Sequence, residues 1–334
     1  MNKILITLLL LCSFTLTAAA ADIPYLDKVQ PPYRQAAETF LFNFTSDQEL
    51  QAASSLQQST ASGRETIIVP ATADTPATKL YIYRPKKPAA KLLPAVYYTH
   101  GGGFLFRKAL DYTERYQNLA DNINAIIITP RYRLSTEAPF PAALNDAYNG
   151  LRYIRQNAGQ LKIDSSRIML MGDSAGGGLA ASLALYNRSH DAIPLRGQVL
   201  IYPMLDYRTG TSASPYNSIY TGNICWNRPT NVFAWEKLRG GRRINSDMLQ
   251  YYSPAMADNL NNLPPALIYV GSLDLFVNED IDYANRLIEA GNATNLYVVS
   301  GLYHAFENAA PQAKSSKEFW LRVYEASRSM LNQN

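Results

Sequence analysis

The residues with the clearest chemical potential lie in a short glycine-rich segment, Gly172-Asp173-Ser174-Ala175-Gly176. The segment follows an apolar run typical of a buried strand and opens a run of very small residues typical of a tightly packed helix. A Gly-x-Ser-x-Gly at such a turn holds the serine in a sharp bend that exposes its Oγ. The helix amino terminus also favours negative charge that develops beside it. The pattern predicts a nucleophilic Ser174 rather than a packing turn.

A serine hydroxyl needs a general base, and the sequence contains only three histidines. His190 lies in a polar connector and is expected to face solvent. His100 precedes three glycines and suits a structural role in a turn. His304 follows the last predicted strand, at the same sheet edge as Ser174. We therefore predict that His304 is the base.

The base in turn needs an acid that fixes its tautomer and stabilises the imidazolium. Asp274 comes just after the seventh predicted strand. Asn278 is placed to cap the helix that follows, and Glu279 and Asp280 fit as charges in its first turn, so Asp274 is not needed there. The chain order serine, aspartate, histidine, each after a strand of one sheet, is that expected of the α/β-hydrolase arrangement.

A second glycine run, His100-Gly101-Gly102-Gly103-Phe104, follows the third predicted strand. Glycines allow backbone N–H groups to converge on one point without a Cβ in the way. Together with the amide of Ala175, these amides would hold a tetrahedral oxyanion, each donor contributing ~3 kcal/mol. Asp173 is adjacent to Ser174 and should point away from it, which leaves Asp173 a supporting role.

In this order the motifs resemble the hormone-sensitive-lipase-like family of α/β-hydrolase carboxylesterases. The resemblance runs from about residue 95 through the C-terminal helix. The segments that carry it are His100-Gly101-Gly102-Gly103, Tyr132-Arg133-Leu134, Phe140-Pro141-Ala142-Ala143, Gly172-Asp173-Ser174-Ala175-Gly176, Asp274 and His304. The motifs are specific when they occur together in this order, whereas any one of them alone is not.

The resemblance implies a role for each motif. Ser174 would be the nucleophile, with Asp274 and His304 completing the triad. The oxyanion donors would be the amides of Gly101, Gly102 and Ala175. An N-terminal cap would shape the acyl pocket. No metal or organic cofactor is implied, and the sequence carries no metal-ligand cluster, P-loop or dinucleotide fingerprint.

The sequence also departs from the family pattern. Leu275-Phe276 follows Asp274 where the family usually has Pro-Leu, and Ala305 follows the histidine where the family usually has glycine. Thr136 stands where proline is common, and Arg131 where an acidic residue is common. None of these changes removes a functional group from the proposed chemistry, but they weaken any transfer of substrate preference.

The elements that must position these residues alternate between short apolar runs and helical patterns. Strands that are apolar along their length and alternate with helices imply a mostly parallel sheet covered on both faces. We predict an α/β-hydrolase fold with an eight-stranded sheet. The predicted strands are Thr66–Val69, Lys79–Tyr83, Ala95–Thr99, Ala125–Thr129, Arg167–Met171, Gln198–Tyr202, Ala266–Val270 and Leu296–Val299.

Two stretches break this alternation. Residues 22–63 read as helices with polar connectors before the first strand, and residues 206–263 form a long insertion after the sixth strand that contains Trp226 and Trp235. Long excursions from a compact sheet are commonly lids or binding surfaces. We therefore predict a cap over the carboxyl ends of the strands, where open α/β sheets bind ligands. Residues 64–334 would form the catalytic domain.

Residues 1–21 are typical of a signal peptide, with Lys3, an apolar run over residues 4–16 and four alanines at 18–21. The run is too short to span a membrane. The chain is therefore expected to be cleaved after Ala20 or Ala21, exported to a periplasm or secreted, and free of a stable membrane anchor. Cleavage removes Cys12 and leaves Cys225 as the only cysteine, so no intramolecular disulfide is expected.

The composition is that of a globular protein, with 334 residues, 47% hydrophobic and 17% charged. The formal charge of +4 is scattered along the chain, so a nucleic-acid-binding surface is not supported. The sequence does not indicate an oligomeric state.

Together these features predict an exported serine carboxylesterase acting on small-molecule esters with short, acetyl-like acyl groups. The many tyrosines and tryptophans near the expected pocket mouth motivate the small acyl group. The same triad would also serve an amidase, lactonase or formamidase. A ligand-binding protein that has lost the reaction, or an envelope interaction domain, is a further alternative. The presence of all three triad residues favours an enzyme.

Overall fold

The computed structural model describes residues 23–55, 64–106 and 112–332. The predicted signal peptide, residues 1–21, lies outside them. The strands of the described chain are β1 (Leu41–Phe42), β2 (Glu65–Val69), β3 (Thr78–Tyr83), β4 (Leu93–Thr99), β5 (Ile126–Pro130), β6 (Ile163–Asp173), β7 (Gln198–Ile201), β8 (Cys225–Trp226), β9 (Ala266–Gly271) and β10 (Thr294–Val299).

One sheet of eight strands forms the centre of the fold, in the order β10-β9-β7-β6-β4-β5-β3-β2. Its strands are parallel except for β3, which runs antiparallel to both β2 and β5. Each of the eight predicted strands overlaps one of these. The predicted eight-stranded, mostly parallel α/β arrangement is confirmed.

Helices cover both faces of the sheet. They are α1 (Pro31–Ala37), α2 (Asp47–Ser55), α3 (Thr113–Ile123), α4 (Ala142–Gln156), α5 (Ala175–Ser189), α6 (Arg228–Arg239), α7 (Ser246–Tyr252), α8 (Val277–Glu289), α9 (Phe306–Ala309) and α10 (Lys314–Asn332). Most buried apolar residues of α4, α5 and α8 belong to one core cluster, and those of α1, α3 and α10 to a second. In β4, Ala95 and Tyr97 contribute to the first cluster while Val96 and Tyr98 contribute to the second, as side chains alternate along a strand.

The start of α8 differs from the prediction. The helix begins at Val277 and its N-cap is Phe276, so Asn278 lies within the first turn and is not the cap. Glu279 and Asp280 lie in the first turn as predicted, and both are buried. Glu279 is drawn inward because its Oε1 accepts the backbone N–H of Leu205 at 2.7 Å, which ties α8 to the start of the insertion.

The N-terminal segment and the insertion after β7 are joined to each other. β1 and β8 pair in parallel, with Leu41 opposite Cys225 and Phe42 opposite Trp226. The sequence did not predict this short pairing, because two-residue strands carry no periodic pattern. It places the two predicted cap segments side by side. In the part of the chain described here, no helix has the length and apolarity needed to cross a membrane.

Candidate active site

Ser174 lies at the junction between β6, which ends at Asp173, and α5, which begins at Ala175. Its backbone φ of 56° and ψ of −125° lie outside the regions that serine normally adopts. The flanking glycines are required by close approach: a Cβ on Gly172 would lie 2.2 Å from the Gly176 carbonyl oxygen, and a Cβ on Gly176 would lie 2.1 Å from that of Thr99. The turn is therefore strained, tightly packed and specific to these residue types.

The three side chains predicted to cooperate meet at the carboxyl edge of the sheet. His304 Nε2 lies 2.9 Å from Ser174 Oγ, and His304 Nδ1 lies 2.8 Å from Asp274 Oδ2. Asp274 is fully buried, and its second oxygen accepts the backbone N–H of Phe276 at 3.0 Å. The carboxylate is therefore held at both oxygens, and the imidazole bridges it to the serine hydroxyl.

Aromatic rings surround the His304 imidazole. The Tyr202 ring lies edge-on with its centroid 4.6 Å from that of the imidazole, and the Phe276 ring lies at 5.2 Å. The Trp226 ring lies at 6.4 Å. Sequence reasoning did not assign Tyr202 or Phe276 to the site. The available signal was the position of both residues just beyond strands whose carboxyl ends form this edge.

The glycine loop after β4 faces Ser174, but its first amide has another partner. The Gly101 N–H donates to Asp173 Oδ1 at 3.2 Å, and the Tyr98 hydroxyl donates to the same oxygen at 2.9 Å. Gly101, predicted as an oxyanion donor, is thus engaged by a buried carboxylate instead. Gly102 and Gly103, with φ of 115° and 60°, line the cavity beside the serine. Asp173 has the predicted supporting role, because it fixes this loop.

Burial raises the pKa of the Asp173 carboxyl, while Arg115, Tyr98 and the Gly101 amide oppose that rise. The positive charge of Arg115 and the hydrogen bonds from Tyr98 and Gly101 favour the ionised form of the carboxyl group. The hydrogen bond from the Gly101 N–H therefore has two effects: it fixes the glycine loop, and it stabilises the ionised Asp173 carboxylate.

The other two histidines have the predicted roles. His100 is buried, stacks on Tyr132 with ring centroids 4.3 Å apart, and lies with Nδ1 2.7 Å from the Gly101 carbonyl oxygen. It supports the glycine loop. His190 is exposed and stacks on Tyr186 at the end of α5 opposite to Ser174.

A small cavity of about 40 Å³ opens beside Ser174 and His304. Its aromatic walls come from four parts of the chain: Phe40 and Phe42 from the N-terminal segment, Phe106 and Tyr112 from the region after the glycine loop, Tyr202 from the end of β7, and Trp226 from the insertion. The indole of Trp226 donates its Nε1–H to Asn231 Oδ1 at 2.9 Å. A Cβ on Gly103 would lie 2.4 Å from the Trp226 ring, so the indole closes tightly over the glycine loop.

Within residues 23–55, 64–106 and 112–332, no three or more histidine, cysteine, aspartate or glutamate side chains are grouped so as to hold a metal ion. The chemistry that the geometry supports is that of a hydroxyl nucleophile, an imidazole base and a buried carboxylate.

Comparison with known proteins agrees with this geometry. A sequence family described as the alpha/beta hydrolase fold matches residues 96–308. Ethyl acetate hydrolase from Pseudomonas putida is 30% identical over 249 residues, which cover 73% of this chain and 76% of that protein. The chain belongs to the hormone-sensitive-lipase-like family of α/β hydrolases.

Other members of this hydrolase family are similar to this chain over most of their length. An arylesterase from Saccharolobus solfataricus is 30% identical over 212 residues, covering 63% of this chain and 67% of the relative. The structure of a bacterial heroin esterase has a TM-score of 0.80 and 27% identity, covering 92% of this chain and 99% of that one. Esterase LipW from Mycobacterium marinum has a TM-score of 0.79 and 26% identity, with coverage of 93% and 98%. This α/β hydrolase is a carboxylic ester hydrolase.

Proposed function

We propose that this carboxylesterase hydrolyses small-molecule esters of short, acetyl-like acids through a Ser174–His304–Asp274 triad and an acyl-enzyme. The observation that carries the proposal is the continuous contact from Ser174 Oγ through both nitrogens of His304 to Asp274, at 2.9 Å and 2.8 Å. This is the spacing at which a base can take the hydroxyl proton as the nucleophile attacks.

The reaction runs in two halves. His304 Nε2 accepts the proton of Ser174 as Oγ attacks the ester carbonyl, and the same nitrogen then protonates the departing alcohol. His304 next activates a water molecule, which attacks the acyl-enzyme and releases the acid. Asp274 keeps the proton on Nδ1 and stabilises the imidazolium that forms in each half. Overall, one ester and one water molecule give one carboxylic acid and one alcohol.

The developing oxyanion needs amide donors beside Ser174. The amide of Ala175 begins α5, and Gly102 and Gly103 line the cavity, so we propose these three residues as the donors. Gly101 drops out of the set because its N–H is occupied by Asp173. Removing one such donor typically costs about 100-fold or more in kcat.

The acyl preference rests on the cavity walls. Trp226 presses against Gly103, and its position is fixed by Asn231. Phe42 and Phe106 stack with centroids 5.6 Å apart along the same cavity. Rigid aromatic walls so near the nucleophile favour a short acyl group over a long chain.

The surroundings of the enzyme form part of the proposal. Residues 22–63 and 206–263 would act as the cap, and residues 1–21 as a signal peptide that delivers the protein to a periplasm or to the medium. We expect neither a nucleic-acid partner nor a stable membrane anchor.

Mass spectrometry of the protein from its natural host tests export and should find a mature chain beginning at Ala21 or Asp22. A chain that retains Met1 would contradict export by cleavage.

The test of the reaction uses p-nitrophenyl esters from acetate to decanoate, with wild type beside Ser174→Ala. We expect the highest kcat/KM at acetate to butyrate, and no activity above background in the variant. Matched anilides, tested in parallel, should be hydrolysed far more slowly. A kcat/KM that rises steadily beyond octanoate would contradict the short-acyl proposal, and faster cleavage of the anilides would favour an amidase.

A further inference from the structure

A buried ionic cluster lies behind the cavity wall, three residues beyond His304. Glu307, in α9, is 3% exposed, and its Oε1 accepts the Tyr202 hydroxyl at 2.7 Å and an Arg115 N–H at 3.2 Å. The side chain of Arg115, from α3, is 12% exposed and also donates to Asn308. Burying a guanidinium and a carboxylate is costly, and here the cost is offset at Glu307 Oε1, which accepts from both Arg115 and Tyr202.

Tyr202 connects this cluster to the proposed base. Its ring is the one nearest to His304 among the aromatic contacts of that imidazole, with 4.6 Å between centroids and 62° between planes. The tyrosine is fixed at both ends, since its backbone N–H donates to the Tyr269 carbonyl at 2.7 Å and its hydroxyl donates to Glu307. The ring is fully buried and has little freedom to move away from the imidazole.

Asp274 alone leaves one motion of His304 unrestrained. A hydrogen bond to Nδ1 fixes one corner of the imidazole, but the ring can still tilt and carry Nε2 away from Ser174. A misplacement of about 1 Å between reacting groups can cost about 100-fold in rate. The segment after His304 also contains Ala305 at a φ of 56°, a conformation that favours glycine, so the segment needs external restraint.

We infer that Arg115, Glu307 and Tyr202 form a positioning relay that restrains the tilt of the His304 imidazole. Arg115 holds Glu307, Glu307 holds the Tyr202 hydroxyl, and the Tyr202 ring restrains the imidazole on a side that Asp274 does not contact. Glu307 follows His304 in the same segment, so the relay also restrains the backbone between these two residues, which contains Ala305. The inference rests on the proposed function, in which His304 is the base.

The test is Tyr202→Phe, which keeps the ring in the cavity wall and removes only the hydroxyl that anchors it. Its matched control is Tyr97→Phe, because the Tyr97 hydroxyl is equally buried and donates to the Ala147 carbonyl at 2.8 Å on the α4 side of the sheet. We expect kcat on p-nitrophenyl acetate to fall about tenfold in Tyr202→Phe with KM within about twofold of wild type, and both to be unchanged in Tyr97→Phe.

A second readout separates positioning from stability. The proton on His304 Nδ1, shared with Asp274, gives a low-field NMR resonance that reports the geometry of the imidazole. We expect it to broaden or shift in Tyr202→Phe and to stay in place in Tyr97→Phe, whatever the two Tm values are. Glu307→Gln, which keeps an acceptor for Tyr202, should retain more kcat than Glu307→Leu.

Two results would overturn the relay: a Tyr202→Phe variant with wild-type kcat and an unmoved resonance, or equal changes in both tyrosine variants. Ser174→Ala and His304→Ala are measured in the same series. If either of these keeps wild-type activity, the proposed function fails. If both are inactive while Tyr202→Phe behaves as wild type, only the relay fails.

Discussion

At the scale of single residues, the site depends on backbone positions that ordinary turns do not supply. Ser174, Gly102 and Ala305 all have positive φ values, and each lies next to a group with a proposed role in the reaction. Strained backbone persists where surrounding contacts enforce it. Here those contacts are close backbone approaches and buried hydrogen bonds, so the reactive geometry exists before substrate binds.

Gly102→Ala tests this preorganisation. The φ of 115° disfavours any residue with a side chain, and a Cβ would lie 2.2 Å from the Phe106 carbonyl oxygen. The loop must therefore shift, and kcat should fall about 100-fold, as when an oxyanion donor is lost. Gly159→Ala is the control, because a Cβ there has nothing within 4 Å. Steady-state kinetics on p-nitrophenyl acetate checks both, and near-wild-type kcat in Gly102→Ala would contradict the assignment.

Asp280 provides a separate prediction about stability. It is fully buried, and within the described residues neither of its carboxyl oxygens has a hydrogen-bond partner. Burial, together with the nearby charges of Glu279 and Asp274, raises its pKa well above the usual range. The folded state therefore binds this proton more tightly than the unfolded state, and stability falls as pH rises from about 4 toward the folded pKa.

Replacing Asp280 with asparagine removes that titration. The Tm of Asp280→Asn relative to wild type should be lowest near pH 4 and should rise through neutral pH, because only the wild type bears the cost of a buried ionisable carboxyl. Asp282→Asn, on the same helix but with a side chain 47% exposed, is the control and should show no such trend. Thermal unfolding between pH 4 and pH 9 measures the difference, and a pH-independent difference for Asp280→Asn would contradict the prediction.

At the scale of secondary-structure elements, the β1–β8 pairing joins two parts of the cavity wall. β1 contributes Phe42 and β8 contributes Trp226, and the two residues are direct partners in the parallel register. Phe44 packs edge-on against the Trp226 indole with centroids 6.0 Å apart. The N-terminal segment and the insertion therefore hold one another, and each supplies part of the wall beside the proposed nucleophile.

Trp226→Leu should widen the cavity and move the preferred acyl chain toward longer esters. The indole closes against Gly103, so its removal leaves space for several methylenes, each worth about 0.8 kcal/mol when buried. We expect kcat/KM for hexanoate to rise relative to acetate by about tenfold or more. Trp235→Leu, in the same insertion, is the control, because Trp235 does not line this cavity. An unchanged chain-length profile in Trp226→Leu would show that another wall sets the preference.

The strands and the serine turn could be predicted because their signals are local. Apolar runs indicated all eight strands of the main sheet. The glycines at the turn between β6 and α5 indicated Ser174 as the nucleophile, and the presence of only three histidines left few candidates for the base. The remaining features depend on distant partners. The contact between Tyr202 and Glu307 joins residues 105 apart in the chain, and the direction of the Gly101 amide depends on Asp173 in another strand. Neither feature leaves a pattern in the sequence near it.

At the scale of the whole molecule, the sheet brings loops that are distant in sequence together at one edge. Ser174 follows β6, Asp274 follows β9 and His304 follows β10, and only β7 separates these strands in the sheet. Parallel strands end at the same edge, so three loops far apart in sequence converge there. Core clusters pack against both faces of the sheet.

The N-terminal segment is part of that packing. Tyr33 is fully buried, its hydroxyl lies 2.8 Å from Ser316 Oγ, and its carbonyl accepts the Tyr303 hydroxyl at 3.1 Å. Deleting residues 22–44 should lower the Tm and reduce kcat/KM on p-nitrophenyl acetate at least about tenfold, because buried contacts and a cavity wall are lost together. A truncated enzyme with wild-type Tm and kcat/KM would show that the segment has neither role.

The measurement that most directly tests the central claim is covalent labelling of the mature enzyme with diethyl p-nitrophenyl phosphate, followed by peptide mass spectrometry. The phosphorus accepts a nucleophile that a neighbouring base has activated and releases p-nitrophenol. We predict one diethylphosphoryl group per chain, located on Ser174, with loss of esterase activity in step with labelling and no labelling of Ser174→Ala or His304→Ala. A label on another residue, or esterase activity that survives labelling of Ser174, would contradict the account.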